Sequence, residues 1–413
     1  MKKLAALVAS LALAILAAGC GGSKGSPADY PQDFKVVAGD GAVRVTWTAE
    51  PDVEYWVFWG KGSNITTVNW VSQGGAVIAK ATSPLVIPRL TNGETYSFTI
   101  NGRKDGGPGG EGAPTQVAVP QFAGANWSAG APMGTGRLNA VAGGASPTGY
   151  LTMAAGEGGT IYSRNALGET TTPANPTAPA TLNSMAYGTA GWLAVGAGGT
   201  AVAALDGVTW ESKPTSVTAN LNGISASPLG GYIVTGAGGT ILLASVGAAW
   251  TPATATGTTS DLHAAVLGDT RYVAVGAGGT IVTSTDGLTW AATPSGTAVD
   301  LRGTAFASLS TTTDGVVTTT PTYVAVGRAG KVLRSNDGLA WTAVAPFTAG
   351  DLNAVTYGGQ FVAVGAAGGI FTSPDGITWT ARSSGTTADL TAITRTQLGY
   401  SAVGTGGTIV SSF

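Results

Sequence analysis

From Leu138 to the last residue the chain repeats one phrase seven times: a short apolar run, a glycine-rich turn, and a second short apolar run. The turns read Gly156-Glu157-Gly158-Gly159-Thr160, Gly196-Ala197-Gly198-Gly199-Thr200, Gly236-Ala237-Gly238-Gly239-Thr240 and Gly276-Ala277-Gly278-Gly279-Thr280. They continue as Gly327-Arg328-Ala329-Gly330-Lys331, Gly365-Ala366-Ala367-Gly368-Gly369 and Gly404-Thr405-Gly406-Gly407-Thr408. The first four end forty positions apart, at 160, 200, 240 and 280. A fixed period of this size, written only in strand and turn residues, specifies a radial array of small sheets.

The fourth unit shows the pattern most fully, with runs at 261–266, 272–276, 280–284 and 289–290. Four short strands separated by turns make one propeller blade. Asp286-Gly287, Asp337-Gly338 and Asp375-Gly376 mark the tight turn before the last run, because glycine accepts a positive φ without a Cβ clash. The interval from each Trp to the next unit's first Leu is 11 for Trp210 to Leu221, Trp290 to Leu301, Trp341 to Leu352 and Trp379 to Leu390, and 12 for Trp250 to Leu262. The seventh unit reaches Phe413 without a Trp strand, while Trp127 lies 11 residues before Leu138. The expectation is therefore an all-β chain whose residues 121–413 form a seven-bladed β-propeller. An N-terminal strand around Trp127 closes it, leaving no open sheet edge. Unit one has a Thr/Pro loop at 170–176 in place of its Trp, and unit five is about eleven residues longer, through Ser308 to Pro321. Such insertions lie on a rim, often a binding face.

The N-terminus addresses the compartment. Lys2 and Lys3 precede an apolar stretch too short for a transmembrane helix, and Ile15-Leu16-Ala17-Ala18-Gly19 leads into Cys20, the sole cysteine. This resembles a bacterial lipoprotein signal. The resemblance implies a signal peptide over 1–19, lipidation of Cys20 as the mature N-terminus and, with Gly21 following it, sorting to the outer membrane. Residues 20–29, rich in Gly, Ser and Pro, read as a flexible tether.

Residues 30–120 read as a small β-sandwich, with strand patterns at 43–47, 55–59, 85–87 and 96–100. Leu90-Thr91-Asn92-Gly93-Glu94-Thr95-Tyr96 resembles the tyrosine-corner segment of fibronectin type III domains, and Trp47 their core Trp. That implies a spacer or binding module and brings no functional residues with it. Ser-x-Asp-Gly-x-Thr-Trp in the propeller region resembles the Asp-box of BNR repeats, one residue shorter between Asp and Gly. The series Val-Ala-Val-Gly, Gly-Gly-Thr-Ile, Asp-Gly, Thr-Trp is similar to the propellers of photosystem II assembly factors, which implies an assembly or binding role.

Chemistry is harder to place. Asp261, Asp300, Asp351 and Asp389 precede the first-strand Leu, and Asp206, Asp286, Asp337 and Asp375 precede the turn Gly. Carboxylates that recur at equivalent positions of several units serve turn and hydrogen-bond chemistry. Outside that pattern stand Glu157, Glu169, Glu211, Asp269 and Asp314, with no evident pair for glycoside hydrolysis. With one His and no Cys beyond Cys20, no zinc set exists. The reading is of a chain that is not an enzyme and needs no cofactor or metal.

Charged residues make up only 10% of the chain and its formal net charge is −2, so a nucleic-acid partner is not expected. The residue after each first-strand Leu is Asn139, Asn183, Asn222, His263, Arg302, Asn353 and Thr391, a predicted polar ring at one channel mouth. Arg302 with Arg271, Arg328, Lys331 and Arg334 concentrates basic charge in units four and five. These five are the candidate binding residues for an acidic partner. The expected function is a monomeric, lipid-anchored scaffold of the cell envelope that binds an envelope or extracellular protein. The alternative is a polysaccharide-binding or glycoside-hydrolysing lipoprotein using Trp192, Tyr232, Tyr272, Tyr323 and Phe361 at the channel mouth.

Overall fold

The computed structural model describes residues 25–165, 168–172, 180–227, 230–244, 249–313, 316–397 and 399–412. Cys20, the signal segment, most of the Thr/Pro loop and Asp314 fall outside the described residues. Apart from short 3-10 turns the described chain is all β, and it divides into two compact units, Met1–Pro120 and Gln121–Phe413.

In the first unit a three-stranded sheet (Lys35–Gly39, Ala42–Thr46, Leu85–Pro88) accompanies a five-stranded sheet centred on Glu54–Lys61 and Tyr96–Arg103. Alternation along these strands sends Val43, Val45, Tyr55, Val57, Phe98 and Ile100 into one core with Trp47, which meets Tyr55 edge-on at 5.8 Å between ring centroids. The Tyr96 hydroxyl accepts the Thr91 backbone N–H at 3.1 Å, so the tyrosine staples the preceding turn to its own strand. The end of the expected tether is not free chain. Pro27–Ala28 pairs with Tyr96–Arg103, and Ser26 and Lys104 exchange two backbone hydrogen bonds.

The second unit contains, among the described residues, seven four-stranded antiparallel sheets, numbered here one to seven in chain order of their first strands. Those first strands are Leu138–Ser146, Leu182–Gly188, Leu221–Ala226, Leu262–Leu267, Leu301–Thr313, Leu352–Tyr357 and Leu390–Arg395. Each touches the next, and the seventh touches the first, so the sheets surround a common axis. Sheet seven takes its fourth strand, Ser128–Ala129, from the start of the unit, where it pairs with Ile409–Ser412. Trp127 precedes that strand, stacks on Tyr400 at 6.2 Å, and donates its indole N–H to Gly124 O at 3.0 Å.

The repeated phrase explains each sheet. Second strands such as Tyr232–Gly236, Tyr272–Gly276 and Phe361–Gly365 have both faces against neighbouring sheets, which is why they read as unbroken apolar runs. The glycine-rich turn is one 3-10 turn, and its third residue has a positive φ: 62° at Gly278, 51° at Ala329 and 52° at Ala367. The next glycine is different in kind. A Cβ on Gly279 would lie 2.0 Å from Thr297 O, so only glycine fits. Every sheet thus has two unlike ends. The glycine turn and the start of the first strand share one end, as the Leu301–Gly327 pairing shows. The first-to-second and third-to-fourth connections share the other.

Candidate functional site

A cavity of about 1010 Å³ runs along the axis, lined by first-strand residues of all seven sheets. At the glycine-turn end stand the seven residues predicted to form a polar ring, and they do so by hydrogen-bonding from sheet to sheet. The Nδ2 atoms of Asn139, Asn183 and Asn222 donate to the carbonyls of Leu182, Leu221 and Leu262 at 3.2, 2.9 and 3.0 Å. His263 Nδ1 lies 3.0 Å from Leu301 O; a carbonyl only accepts, so this nitrogen carries the proton. Asn353 Nδ2 donates to Leu390 O at 2.7 Å, and the Thr391 hydroxyl donates to Leu138 O. Arg302 fills the remaining gap differently, donating to Asn353 Oδ1 and pairing with Asp351 at 3.1 Å. The ring closes the assembly of sheets.

The repeated carboxylates at this end are also structural. Asp261, Asp300, Asp351 and Asp389 each accept the turn N–H of the preceding sheet, from Gly238, Gly278, Ala329 and Ala367, at 2.8–2.9 Å. The Gly278 N–H, aided by Arg328, holds the Asp300 carboxyl below the usual range. Glu157, unmatched in the sequence, does related work by accepting the Arg137 N–H at 3.2 Å.

The five candidate basic residues are divided between the two ends. Arg302, Arg328 and Lys331 lie at the glycine-turn end, where Arg302 pairs with Asp351 and Arg328 with Asp300 at 3.3 Å. Arg271 and Arg334 lie at the other end, because each sits where a strand meets the opposite connections. Arg334 donates to Asp375 O at 3.1 Å and to the Thr322 hydroxyl at 3.3 Å, and Arg271 O accepts from Tyr323.

The aromatics proposed for sugar binding are not at a mouth. Trp192, Tyr232, Tyr323 and Phe361 are buried between sheets, and Tyr272 is half-buried against Trp290. The Tyr232 and Tyr323 hydroxyls donate to Gly191 O and Arg271 O at 2.7 and 3.1 Å, and burial pushes both phenols up to about 12. A side chain starting a strand that is covered on both faces has nowhere to point but into the neighbouring sheet.

The end carrying the third-to-fourth turns has a different surface. Asp286 Oδ1 accepts the N–H groups of Thr289 and Leu288 at 2.8 Å, and these bonds, with that of the Ser284 hydroxyl, hold its carboxyl below the usual range. Trp290 closes the loop with an indole bond to Gly287 O at 2.8 Å. The carboxylate satisfies the turn's own N–H groups, Leu288 O accepts from the Thr254 N–H at 2.9 Å, and an apolar residue follows the glycine at the tip. Val208, Leu339 and Ile377 occupy that tip position, and all are exposed. Leu205, 81% exposed, lies in the matching connection of sheet two, and Phe122, 70% exposed, lies in the segment that enters the fourth strand of sheet seven. Val316 and Val317 complete the set on the long hairpin of sheet five. Every exposed large hydrophobic residue described in this unit therefore belongs to one end.

Half-buried aromatics mark the channel at that same end. Tyr187 packs on Trp192 at 4.7 Å, Phe306 on Tyr323 at 4.7 Å and Tyr357 on Phe361 at 4.9 Å. Phe306 and Tyr357 also line the cavity. The sequence held a signal for them, since each lies five residues after its first-strand Leu. Their sheets put that position at the far end of the channel from the Asn ring.

The arrangement defines a β-propeller, and comparison with solved structures agrees. The chain is similar to YCF48 bound to D1 peptide (TM-score 0.53, 18% identity), covering 69% of this chain and 96% of that one. It is also similar to YCF48 from Cyanidioschyzon merolae (TM-score 0.53, 14% identity), covering 70% and 98%. A streptogramin B lyase structure gives a TM-score of 0.57 at 14% identity, covering 70% and 98%. No family model and no curated protein sequence matches the chain. The expectation that the chain is not an enzyme needs correction. Virginiamycin B lyase from Staphylococcus aureus is a propeller enzyme of this shape, with a TM-score of 0.55 and 13% identity in a catalytically inactive form with quinupristin. Repeat-bound carboxylates therefore do not exclude catalysis on this fold; at such identities the likeness shows the fold alone.

Proposed function

We propose that the chain is a membrane-anchored lipoprotein, held by Cys20 in the cell envelope and sorted to the outer membrane. In this reading a fibronectin type III-like sandwich spaces a seven-bladed propeller that binds a partner protein. The observation that carries it is the one-sided distribution of exposed Phe122, Leu205, Val208, Val316, Val317, Leu339 and Ile377. Large apolar side chains exposed at one end of a rigid scaffold, and not at the other, suit a protein contact surface. At the opposite end polar side chains are spent on joining sheets, and Arg302 and Arg328 have acidic partners. YCF48, a propeller similar in fold, is known with a bound peptide.

The test compares two variants of the full chain in cross-linking pull-downs from native envelopes. One carries Phe122→Ser, Leu205→Ser, Leu339→Ser and Ile377→Ser; the other carries Arg302→Glu and Arg328→Glu. The expected outcome is a specific partner lost at least tenfold in the first variant. Loss confined to the second would place binding at the Asn-ring mouth. Equal capture by both would reject a protein-binding propeller. Cys20→Ser moving the chain from the membrane to the soluble fraction is the expected sign of the anchor.

A further inference from the structure

Sheet five departs from the other sheets in one respect. Its first and second strands, Leu301–Thr313 and Val316–Gly327, run 13 and 12 residues, and they stay paired from Leu301–Gly327 out to Thr313–Val316. The third strand, Val332–Ser335, pairs with the second only over Tyr323–Val326. Pro321 has no N–H and Thr322 is buried with Arg334 on its hydroxyl, so the outer edge that no described strand covers runs over 316–320, about 17 Å at roughly 3.3 Å per residue. The sequence added between Ser308 and Pro321 is thus neither a loop nor part of a four-stranded sheet. It is a two-stranded ribbon standing beyond the propeller, at the end that carries the exposed aliphatic tips.

Four properties of this ribbon point the same way. Its residues are mainly β-branched, with Thr311, Thr312, Val316, Val317, Thr318, Thr319 and Thr320 in succession around the turn, so the chain is committed to extended structure. A two-stranded ribbon alone is marginal in water, and a third strand is what makes such a unit stable. Natural sheets blunt exposed edges with charge, bulges or proline; from Ser308 to Pro321 the one charged residue is Asp314, and Pro321 sits at the base. The base is fixed in place: the Ser308 hydroxyl contacts both Asp269 carboxylate oxygens at 3.0 and 2.9 Å, and Leu309 packs with the apolar cluster between sheets five and six. A row of backbone N–H and C=O groups at strand spacing is matched in full only by another strand.

We infer that the outer edge of residues 316–320 is a docking edge for an extended segment of the partner polypeptide, which adds as a third strand to the ribbon. This inference rests on the protein-binding reading above and specifies its mode. Main-chain hydrogen bonds supply affinity, and alternate side chains of the added strand supply specificity. Val316 and Val317 present exposed side chains on opposite faces of the ribbon, which favours a partner segment with apolar or β-branched residues on both faces.

The experiment selects binders for the full chain from a displayed library of random twelve-residue peptides. It then measures the chosen peptides against two variants. In one, residues 309–320 are replaced by Asn-Gly, shortening the hairpin toward the size of its neighbours. In the other, Thr318→Lys and Thr320→Lys put charge on the edge without shortening it, so the test stands even if the first variant misfolds. The expected result is extended, β-branched peptides that bind at least tenfold more weakly to both variants. They also slow amide exchange at alternate positions of 316–320. Binders indifferent to both variants, or no binders at all, overturn the inference; so does ribbon-dependent self-association of the chain in sedimentation, which would make the occupant a second copy. The pull-down with Phe122, Leu205, Leu339 and Ile377 replaced leaves the ribbon intact, so failure of strand addition and failure of protein binding are separable.

Discussion

The two ends of the propeller sheets solve opposite problems with residues of the same repeat. At the glycine-turn end polar side chains reach into adjacent sheets: Asn183 to Leu221 O, Asp300 to the Gly278 N–H, Thr391 to Leu138 O. At the other end the Asp-Gly turns bond to themselves, as Asp286 does with Thr289 and Leu288. Their carboxylates are satisfied within the turn, and neighbouring sheets reach only the turn backbone, as Thr254 does at Leu288 O and Arg334 at Asp375 O. Their tips are free to carry Val208, Leu339 and Ile377 outward. One end holds the ring together, and the other carries the exposed aliphatic side chains.

The sharpest way to break this contrast is at the close-packed end. Gly279→Ala puts a methyl 2.0 Å from Thr297 O, and the loss expected is ~3 kcal/mol or more. The adjacent Gly278→Ala meets no atom within 4 Å and should lose only about 1 kcal/mol, since Ala329 and Ala367 already occupy that conformation in sheets five and six. Urea denaturation of the pair decides whether contact or backbone strain makes the difference; equal losses would refute the packing argument.

Next in size is Asn183→Ala, which removes one link of the ring and strands Leu221 O. About 1–2 kcal/mol should be lost, and His263→Asn should lose less than half of that because Asn fills the equivalent position in four other sheets. Equal losses would mean that the ring depends on the imidazole itself.

Asp286→Ala should lower the melting temperature at pH 7, because the depressed carboxyl pKa means that the folded state favours the ionised form. The sign follows: this stabilisation is present above the ordinary carboxylate pKa and is lost as pH falls through the depressed one. The gap between wild type and variant should therefore narrow from pH 5 to pH 2, and a pH-independent gap would show that the turn does not use the charge.

The smallest stability effect belongs to the exposed tips. Leu339→Ser and Ile377→Ser should each shift stability by no more than ~0.5 kcal/mol, measurable by thermal unfolding. A larger loss would mean that these side chains pack in the fold and would remove the contrast between the ends.

Much of this was legible in the residues. The fixed spacing from Trp to Leu located the closing segment around Trp127 to within a residue of the strand that pairs with Ile409–Ser412. The Leu-plus-one positions identified the ring, and their identity as Asn pointed to hydrogen bonding. The basic residues of units four and five were harder to read. Arg302 and Arg334 lie thirty-two residues apart in one sheet, and only strand direction separates their ends. Trp192 and Tyr232 look like a sugar platform in sequence and are core side chains in space, because a strand covered on both faces leaves them no solvent.

The sequence by itself determined the repeat, the all-β class and the residues that bond each sheet to the next, because periodic spacing and turn chemistry are local properties. Only the tertiary structure decided which end each side chain occupies. It alone showed that the exposed aliphatic residues gather at one of them, and that the added segment of sheet five is a ribbon with an open edge. Those facts depend on strand direction and on where a neighbouring strand stops, and neither is written in the residues of any one repeat.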